Sequence, residues 1–351
     1  MDTLQLLAPD GGLRDDPEWP LEVTPELCRG LYRSMRLARS LDSAALALQR
    51  QGELGLWLQS LGQEAAQVGS ITALRDTDHV FPSYREHAAA LCRGITPAEL
   101  LVQWRGNRHS GWDPARYRFH IYTLVLAAQL PHATGYAMGV QRDGADEIVV
   151  GYFGDGAASE GEANEALNWA AAAEVPLLFF CQNNHWAIST PVRAQMRAPL
   201  HQRARGFGLD AYRVDGNDVL AVRAMTRTVA DRIRAGGGPA LIEAVTYRMA
   251  GHSTSDDPGR YRTPSELDAW SARDPIARLE TLLVRQGWID DEQRAGVDAE
   301  CEALAAETRA ACLDLPLGDM SELFGTVLAE ETPLLAGERR RFRELARSYQ
   351  D

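Results

Sequence analysis

The 351-residue chain contains no lysine: all 36 of its basic residues are arginine. That absence removes lysine Schiff-base chemistry, pyridoxal phosphate anchoring and the P-loop lysine from the possible mechanisms. Cysteine is scarce, with residues at 28, 92, 181, 301 and 312 and no Cys-x-x-Cys. An odd number at such spacings points to neither a disulfide framework nor a zinc site, and the thiols read as small buried hydrophobes. No run of eighteen uncharged apolar residues occurs, so no membrane-spanning helix is expected. Positive charge is in deficit: 36 − 49 gives a net charge of −13, which argues against nucleic acid or an anionic membrane as a partner. The N-terminal MDTLQLLAPDGGLRDD lacks a basic region and a signal-peptide core, so the cytoplasm is the expected location.

What the chain does have is a globular balance, 45% hydrophobic and 24% charged, and enough length for a substantial core. Its most informative segment is Gly154-Asp155-Gly156, followed by Asn183-Asn184. Residues 147–153 form a short β-branched and aromatic run. Residues 162–174 are Ala-rich with Ala163, Ala166, Leu167 and Ala170 at helical spacing, and 175–181 are apolar again. Strand, loop, helix, strand is the order of a parallel crossover, which buries both faces of a sheet. Asp155 and Asn184 each stand just past a predicted strand, 184 − 155 = 29 positions apart, about one βαβ repeat. Ligands bind at the carboxyl ends of such strands. Read alone, either fragment is an ordinary turn or loop. Together they place a carboxylate and an amide oxygen where Mg²⁺ could hold a diphosphate, with a loop carbonyl near Trp186 as a further ligand. Gly154 and Gly156 would let the backbone approach phosphate closely.

Elsewhere, residues 1–20 are rich in Pro, Gly and Asp and read as an extended arm. Thr24-Pro25-Glu26 signals a helix start, with Thr24 as N-cap and proline at the first helical position. HATGYAMGV at 132–140 reads as a helix whose small residues allow close packing against the sheet or a partner. LDAYRVDG and PALIEAVTYR are two more predicted strands separated by a helix from Val219 to Arg234. From Ser265 the pattern is helical and strand-free, broken by Pro316 and Pro333. The division expected is therefore an arm at 1–20, an α/β domain at 21–264 and a C-terminal helical extension at 265–351.

The segment GDGAASEGEANEALNWAAAAEVPLLFFCQNN resembles the thiamine diphosphate motif. FPSYREHAAALCRG at 81–94, RVDGNDVLAV at 213–222 and LIEAVTYRMAGHSTSDDPGRYR at 241–262 narrow the likeness. From about residue 20 onwards the chain is similar to the alpha subunit of the decarboxylating first component of 2-oxoacid dehydrogenase complexes. The resemblance implies an α/β thiamine diphosphate-binding fold, a mostly parallel sheet with helices on both faces. It implies Asp155, Asn184 and the Trp186 carbonyl as Mg²⁺ ligands, and Tyr84 and Arg85 at the diphosphate. Gly154, Gly156 and Ala157 would add loop backbone, and Leu124 and Leu126 would cradle the aminopyrimidine through theirs. His252 matches the family histidine over the reacting carbon, and His109 falls near a second one. The remaining histidines, at 79, 87, 120, 132, 185 and 201, read as structural or surface residues.

Physical chemistry agrees with these roles. Arginine donates in a fork that suits phosphate oxygens. A histidine in a polar loop after an apolar strand, with an ordinary pKa near 6.5, suits proton transfer. The resemblance assigns the glutamate that activates the coenzyme to a separate beta subunit, and no residue here replaces it; Glu64, in SLGQEAAQ, reads as structural. The expected assembly is a heterotetramer of two alpha and two beta chains that passes an acyl group to a lipoyl-bearing acyltransferase. Branched-chain 2-oxoacids of the 2-oxoisovalerate type are the leading substrates, then pyruvate, then acetoin. A non-catalytic assembly subunit is less consistent with Tyr84, Arg85, Asp155, Asn184 and His252 all being present. A phosphoryl-transfer enzyme would lack both a lysine and a nucleotide motif.

Overall fold

The computed structural model describes residues 3–316, 323–325 and 328–349. Five strands form one all-parallel sheet: β1 (His79–Phe81), β2 (Val149–Gly154), β3 (Leu177–Asn183), β6 (Asp210–Asp215) and β7 (Ala240–Val245), in the order β1-β2-β3-β7-β6. A small antiparallel hairpin, β4 (Trp186–Ala187) with β5 (Thr190–Pro191), follows β3.

Every residue of β3 is buried, as a central parallel strand requires. Because side chains alternate across a sheet, Tyr152, Leu178, Phe180 and Ile242 enter one apolar cluster, while Phe153, Phe179, Cys181 and Leu241 enter another. Helix Pro25–Arg50 covers the first face, with Glu64–Ile71 and Val219–Arg232 beside it; Gln129–Asp143 and Gly161–Ala173 cover the second. The sheet is thus clothed on both sides, as expected. Helix Pro25–Arg50 starts as its sequence indicates, with Thr24 accepting from the Leu27 N–H and Pro25 at the first position. Its buried residues Cys28, Leu31, Met35, Ala38, Ala45 and Leu48 form one stripe facing the core.

Several local expectations change. The N-terminal segment is docked on the sheet: Leu4 pairs with Val214 of β6, and the buried Asp218 carboxylate accepts from the N–H groups of Leu6 and Leu7. Paired backbone and buried Leu6, Leu7 and Trp19 make it part of the core. The C-terminal helices Pro275–Arg285 and Asp291–Asp314 pack on helix Pro25–Arg50, and Leu279 and Leu282 share the first apolar cluster. Pro333 begins the helix Pro333–Arg347, capped by Thr332. Residues 1–2 of the arm, and 317–322, 326–327 and 350–351 of the extension, lie outside the described residues. The small residues of helix Gln129–Asp143 do pack closely on the sheet, as expected, through Ala133 and Ala137, whereas Gly135 and Gly139 have open space where a Cβ would stand. Cys92 is exposed, while the other four cysteines are buried. No described helix is long and apolar enough to cross a membrane.

Candidate active site

Four neighbouring strands, β1, β2, β3 and β7, end at the same edge of the sheet, and a cavity of about 680 Å³ lies there. After β1 the wall is Ser83, Tyr84, Arg85 and Glu86; after β2, Gly154, Asp155, Gly156 and Ala157. Asn184 and Trp186 follow β3, and Arg248 and His252 follow β7. Leu124 and Leu126 close the wall from the loop before helix Gln129–Asp143. His109 lies outside this lining and is exposed. Its loop is held elsewhere, through Arg105 to Glu53 at 2.8 Å and through Asn107 to the carbonyl of Pro316.

The pairing of β2 with β3, with Gly154 opposite Gln182, brings Asp155 and Asn184 together. The N–H of Asn184 donates to Asp155 Oδ1 at 3.3 Å, and Asn184 Oδ1 accepts from the Trp186 N–H at 3.2 Å. Asp155 is 1% exposed and has no basic partner at ion-pair distance among the described residues. Burial pushes its carboxyl up to about 6. A desolvated carboxylate, an amide oxygen and a nearby carbonyl are hard oxygen donors of the kind Mg²⁺ takes, with the rest of the octahedron left to phosphate and water. The residues present therefore fit the expected metal. Gly156 has a further reason to lack a side chain, since a Cβ there would stand 2.8 Å from the Cβ of Ala187 in the hairpin.

Arg85 is buried, and its loop is fixed from behind by Gln67, whose amide donates to the Arg85 carbonyl and accepts from the Ala88 N–H. The guanidinium donates to the carbonyls of Gln59 at 2.5 Å and His252 at 2.9 Å. Arg248, which the sequence reading passes over, is fully buried beside it. It donates to the carbonyls of Trp186 (2.8 Å) and Ile188 (2.7 Å) and to the Tyr261 hydroxyl (2.9 Å). The two guanidinium groups lie 3.4 and 3.5 Å from Nδ1 of His252. Burial, helped by these two cations, lowers the imidazole to about 4, so it is neutral at physiological pH.

Glu86 was also missed. It accepts from Ser83 Oγ and, at 2.6 Å, from Gln182 Nε2, and burial raises its pKa. Glu64, by contrast, pairs with Arg39 at 2.8 Å and is not part of the cavity wall. The backbones of Leu124 and Leu126 make no hydrogen bond among the described residues, leaving donors and acceptors free at the cavity mouth. Backbone strain gathers here too: Ala127 and Ile188, both in the wall, have φ of 63° and 53°. A chain-internal cue for Arg248 did exist. Tyr84-Arg85 and Tyr247-Arg248 are two Tyr-Arg pairs, each just beyond a strand.

Comparison with known proteins adds a family to this geometry. The family described as dehydrogenase E1 component matches residues 32–313. The chain is 45% identical over 350 residues to the 3-methyl-2-oxobutanoate dehydrogenase subunit alpha of Mycobacterium tuberculosis, covering 99% of this chain and 95% of that one. It is 41% identical over 290 residues to the mitochondrial 2-oxoisovalerate dehydrogenase subunit alpha of Homo sapiens, covering 80% of this chain and 64% of that one. Against subunit alpha 2 of the mitochondrial enzyme of Arabidopsis thaliana the figure is 38% over 285 residues, 78% and 60% of the two chains.

Proposed function

The chain belongs to the dehydrogenase E1 component family, whose members are thiamine diphosphate-dependent enzymes, and we propose that it is the alpha subunit of a cytoplasmic branched-chain 2-oxoacid dehydrogenase. With a beta subunit it would decarboxylate a substrate of the 2-oxoisovalerate type and pass the acyl group to the lipoyl arm of an acyltransferase. One observation carries the reading: Arg85, Asp155, Asn184, Arg248 and His252, from the ends of four adjacent strands, line a single cavity.

Bound thiamine diphosphate supplies the electron sink for decarboxylation, through its thiazolium carbon. The chain's own residues do the rest. Asp155, Asn184 and the Trp186 carbonyl would hold Mg²⁺ against the diphosphate, while Arg85 and Arg248 offset its remaining charge. Free backbone groups of Leu124 and Leu126 would orient the coenzyme's ring. Leu56, Leu58 and Ile188 add apolar surface to the cavity wall. His252, kept neutral chiefly by burial and further by its two cationic neighbours, can accept a proton or hydrogen-bond a developing charge at Nε2. The activating carboxylate is expected from the beta subunit, which makes the site a shared one.

The test is to co-express the chain with its beta partner and follow oxidative decarboxylation of 2-oxoisovalerate and pyruvate, with and without thiamine diphosphate and Mg²⁺. Cofactor-dependent turnover that favours 2-oxoisovalerate supports the proposal, and preference for pyruvate replaces the substrate. Full activity of the isolated alpha chain overturns the shared site. His252→Ala is expected to bind the coenzyme normally and turn over at least tenfold more slowly.

A further inference from the structure

His252 is placed largely by its backbone, since among the described residues its ring has long approaches to two cations and an edge contact with Tyr84 at 6.3 Å between centroids. Its N–H donates to Asp256 Oδ2 at 2.6 Å, and its carbonyl accepts from Arg85. Two residues on, Thr254 makes a reciprocal pair with Trp57. The Thr254 N–H donates to the Trp57 carbonyl at 3.0 Å, and the Trp57 N–H donates to Thr254 Oγ1 at 3.2 Å.

The segment 57–60 is a rigid seat for that pair. Trp57 is fully buried and stacks on His87, with ring centroids 4.2 Å apart. Its Nε1 donates to Asp42 Oδ1 at 2.8 Å, and the N–H of Ser60 donates to the same oxygen at 3.2 Å. Asp42 belongs to helix Pro25–Arg50, so the seat is tied to the longest helix of the fold. His87 Nε2 meets the Leu58 carbonyl at 3.0 Å.

These restraints differ in what happens when an anion arrives. Under the proposed function, Arg85 would be drawn towards a diphosphate, and its hold on the His252 carbonyl would weaken. The Thr254–Trp57 pair involves no charged group and is unaffected. We infer that Thr254 is a positioning residue for His252: its hydroxyl and N–H latch the catalytic loop to the seat at Trp57 while Arg85 is engaged with ligand. This rests on the functional reading for its purpose, but the latch can be tested without turnover.

Arg260 is exposed in the same loop and offers trypsin a site that reports loop opening. In the chain assembled with its beta partner, Thr254→Val removes the acceptor but keeps the shape, and Thr254→Ser keeps the acceptor. Cleavage after Arg260 is expected to be roughly fivefold faster in Thr254→Val, the weight of one hydrogen bond, and unchanged in Thr254→Ser. The same variant should lower kcat for acyl transfer and leave KM for the 2-oxoacid unchanged. A melting temperature within about 2 °C of the parent protein confirms folding. Cleavage of Thr254→Val at the parent rate, or of Thr254→Ser at the accelerated rate, overturns the latch. Absence of 2-oxoacid turnover in the parent assembly would instead overturn the functional reading and leave the protease result standing.

Discussion

Arg248 donates to the carbonyl of Trp186 at 2.8 Å, which couples a fully buried cation to the carbonyl expected to face the metal. The same guanidinium reaches the Ile188 carbonyl and the Tyr261 hydroxyl. One planar fork therefore sets the hairpin that follows β3 and the loop that follows β7. An ammonium group is a point charge and cannot serve three acceptors in those directions. Arg248→Lys is expected to lower thiamine diphosphate affinity by tenfold or more, about 1.4 kcal/mol, in calorimetric titration of the assembled protein with Mg²⁺. Unchanged affinity would show that Arg248 is only a structural brace.

Asp155 is buried, and among the described residues its carboxylate accepts only from neutral donors, the Asn184 N–H at 3.3 Å and Gln195 Nε2 at 3.1 Å, with no cation at ion-pair distance, so its charge is left to a metal ion. Asp155→Ala and Asp155→Asn are both expected to fold and both to lose Mg²⁺-dependent retention of thiamine diphosphate on gel filtration. Retention by either variant removes Asp155 from the metal site.

Asp42 gives the clearest pH dependence. Burial raises its carboxyl to about 7 from an ordinary 3.8, although Trp57 and Ser60 donate to it and oppose the rise. Because folding raises this pKa, the associated stability is complete below about 3.8 and is lost as pH climbs through about 7. In that window the folded chain holds a proton that the unfolded chain has released. Asp42→Asn cannot titrate, so its stability should fall less steeply over the window, by about 1.4 kcal/mol per pH unit. Urea denaturation at several pH values measures the slope, and parallel slopes for parent and variant would contradict the assignment.

Much of this architecture was legible because local and long-range preferences agree. The β2-helix-β3 unit is marked by apolar runs around an Ala-rich helix, and its two polar ends, Asp155 and Asn184, meet through strand pairing alone. Strand boundaries moved by one to three residues: β3 extends to Asn183 where the apolar run stops at Cys181, and β7 ends at Val245 where the predicted strand runs to Arg248. Arg248 was invisible for a physical reason: an arginine at the last position of a predicted strand, where the chain runs into a polar loop, reads as solvent-exposed, and only tertiary packing of Trp186, Ile188 and Tyr261 around it supplies its acceptors. The docked N-terminal segment escaped similarly. Its Pro and Gly content reads as an arm, while its anchors are the distant Asp218, which accepts from the Leu6 N–H, and Arg278, which donates to the Leu7 carbonyl. His109 shows the converse, since likeness in sequence placed it near the chemistry and the fold of this chain holds it outside the cavity.

Gly156 offers a last test of how the site is assembled. In the sequence its role reads as close approach to phosphate, but in the fold its missing Cβ makes room for Ala187, which would otherwise be met at 2.8 Å. Overpacking of this kind costs about 1–3 kcal/mol. Since φ at Gly156 is −62°, an alanine there suffers no backbone strain, and the whole cost is the contact. Gly156→Ala is thus expected to displace the β4-β5 hairpin, and with it the Trp186 carbonyl, lowering both stability and Mg²⁺-dependent coenzyme affinity. Ala187→Gly removes the opposing methyl group and should restore both in the double variant. A double-mutant cycle read by thermal melting and by coenzyme titration separates the two roles. If Ala187→Gly restores stability but not affinity, Gly156 acts directly on the phosphate; if it restores both, the glycine serves the hairpin that carries the metal-facing carbonyl.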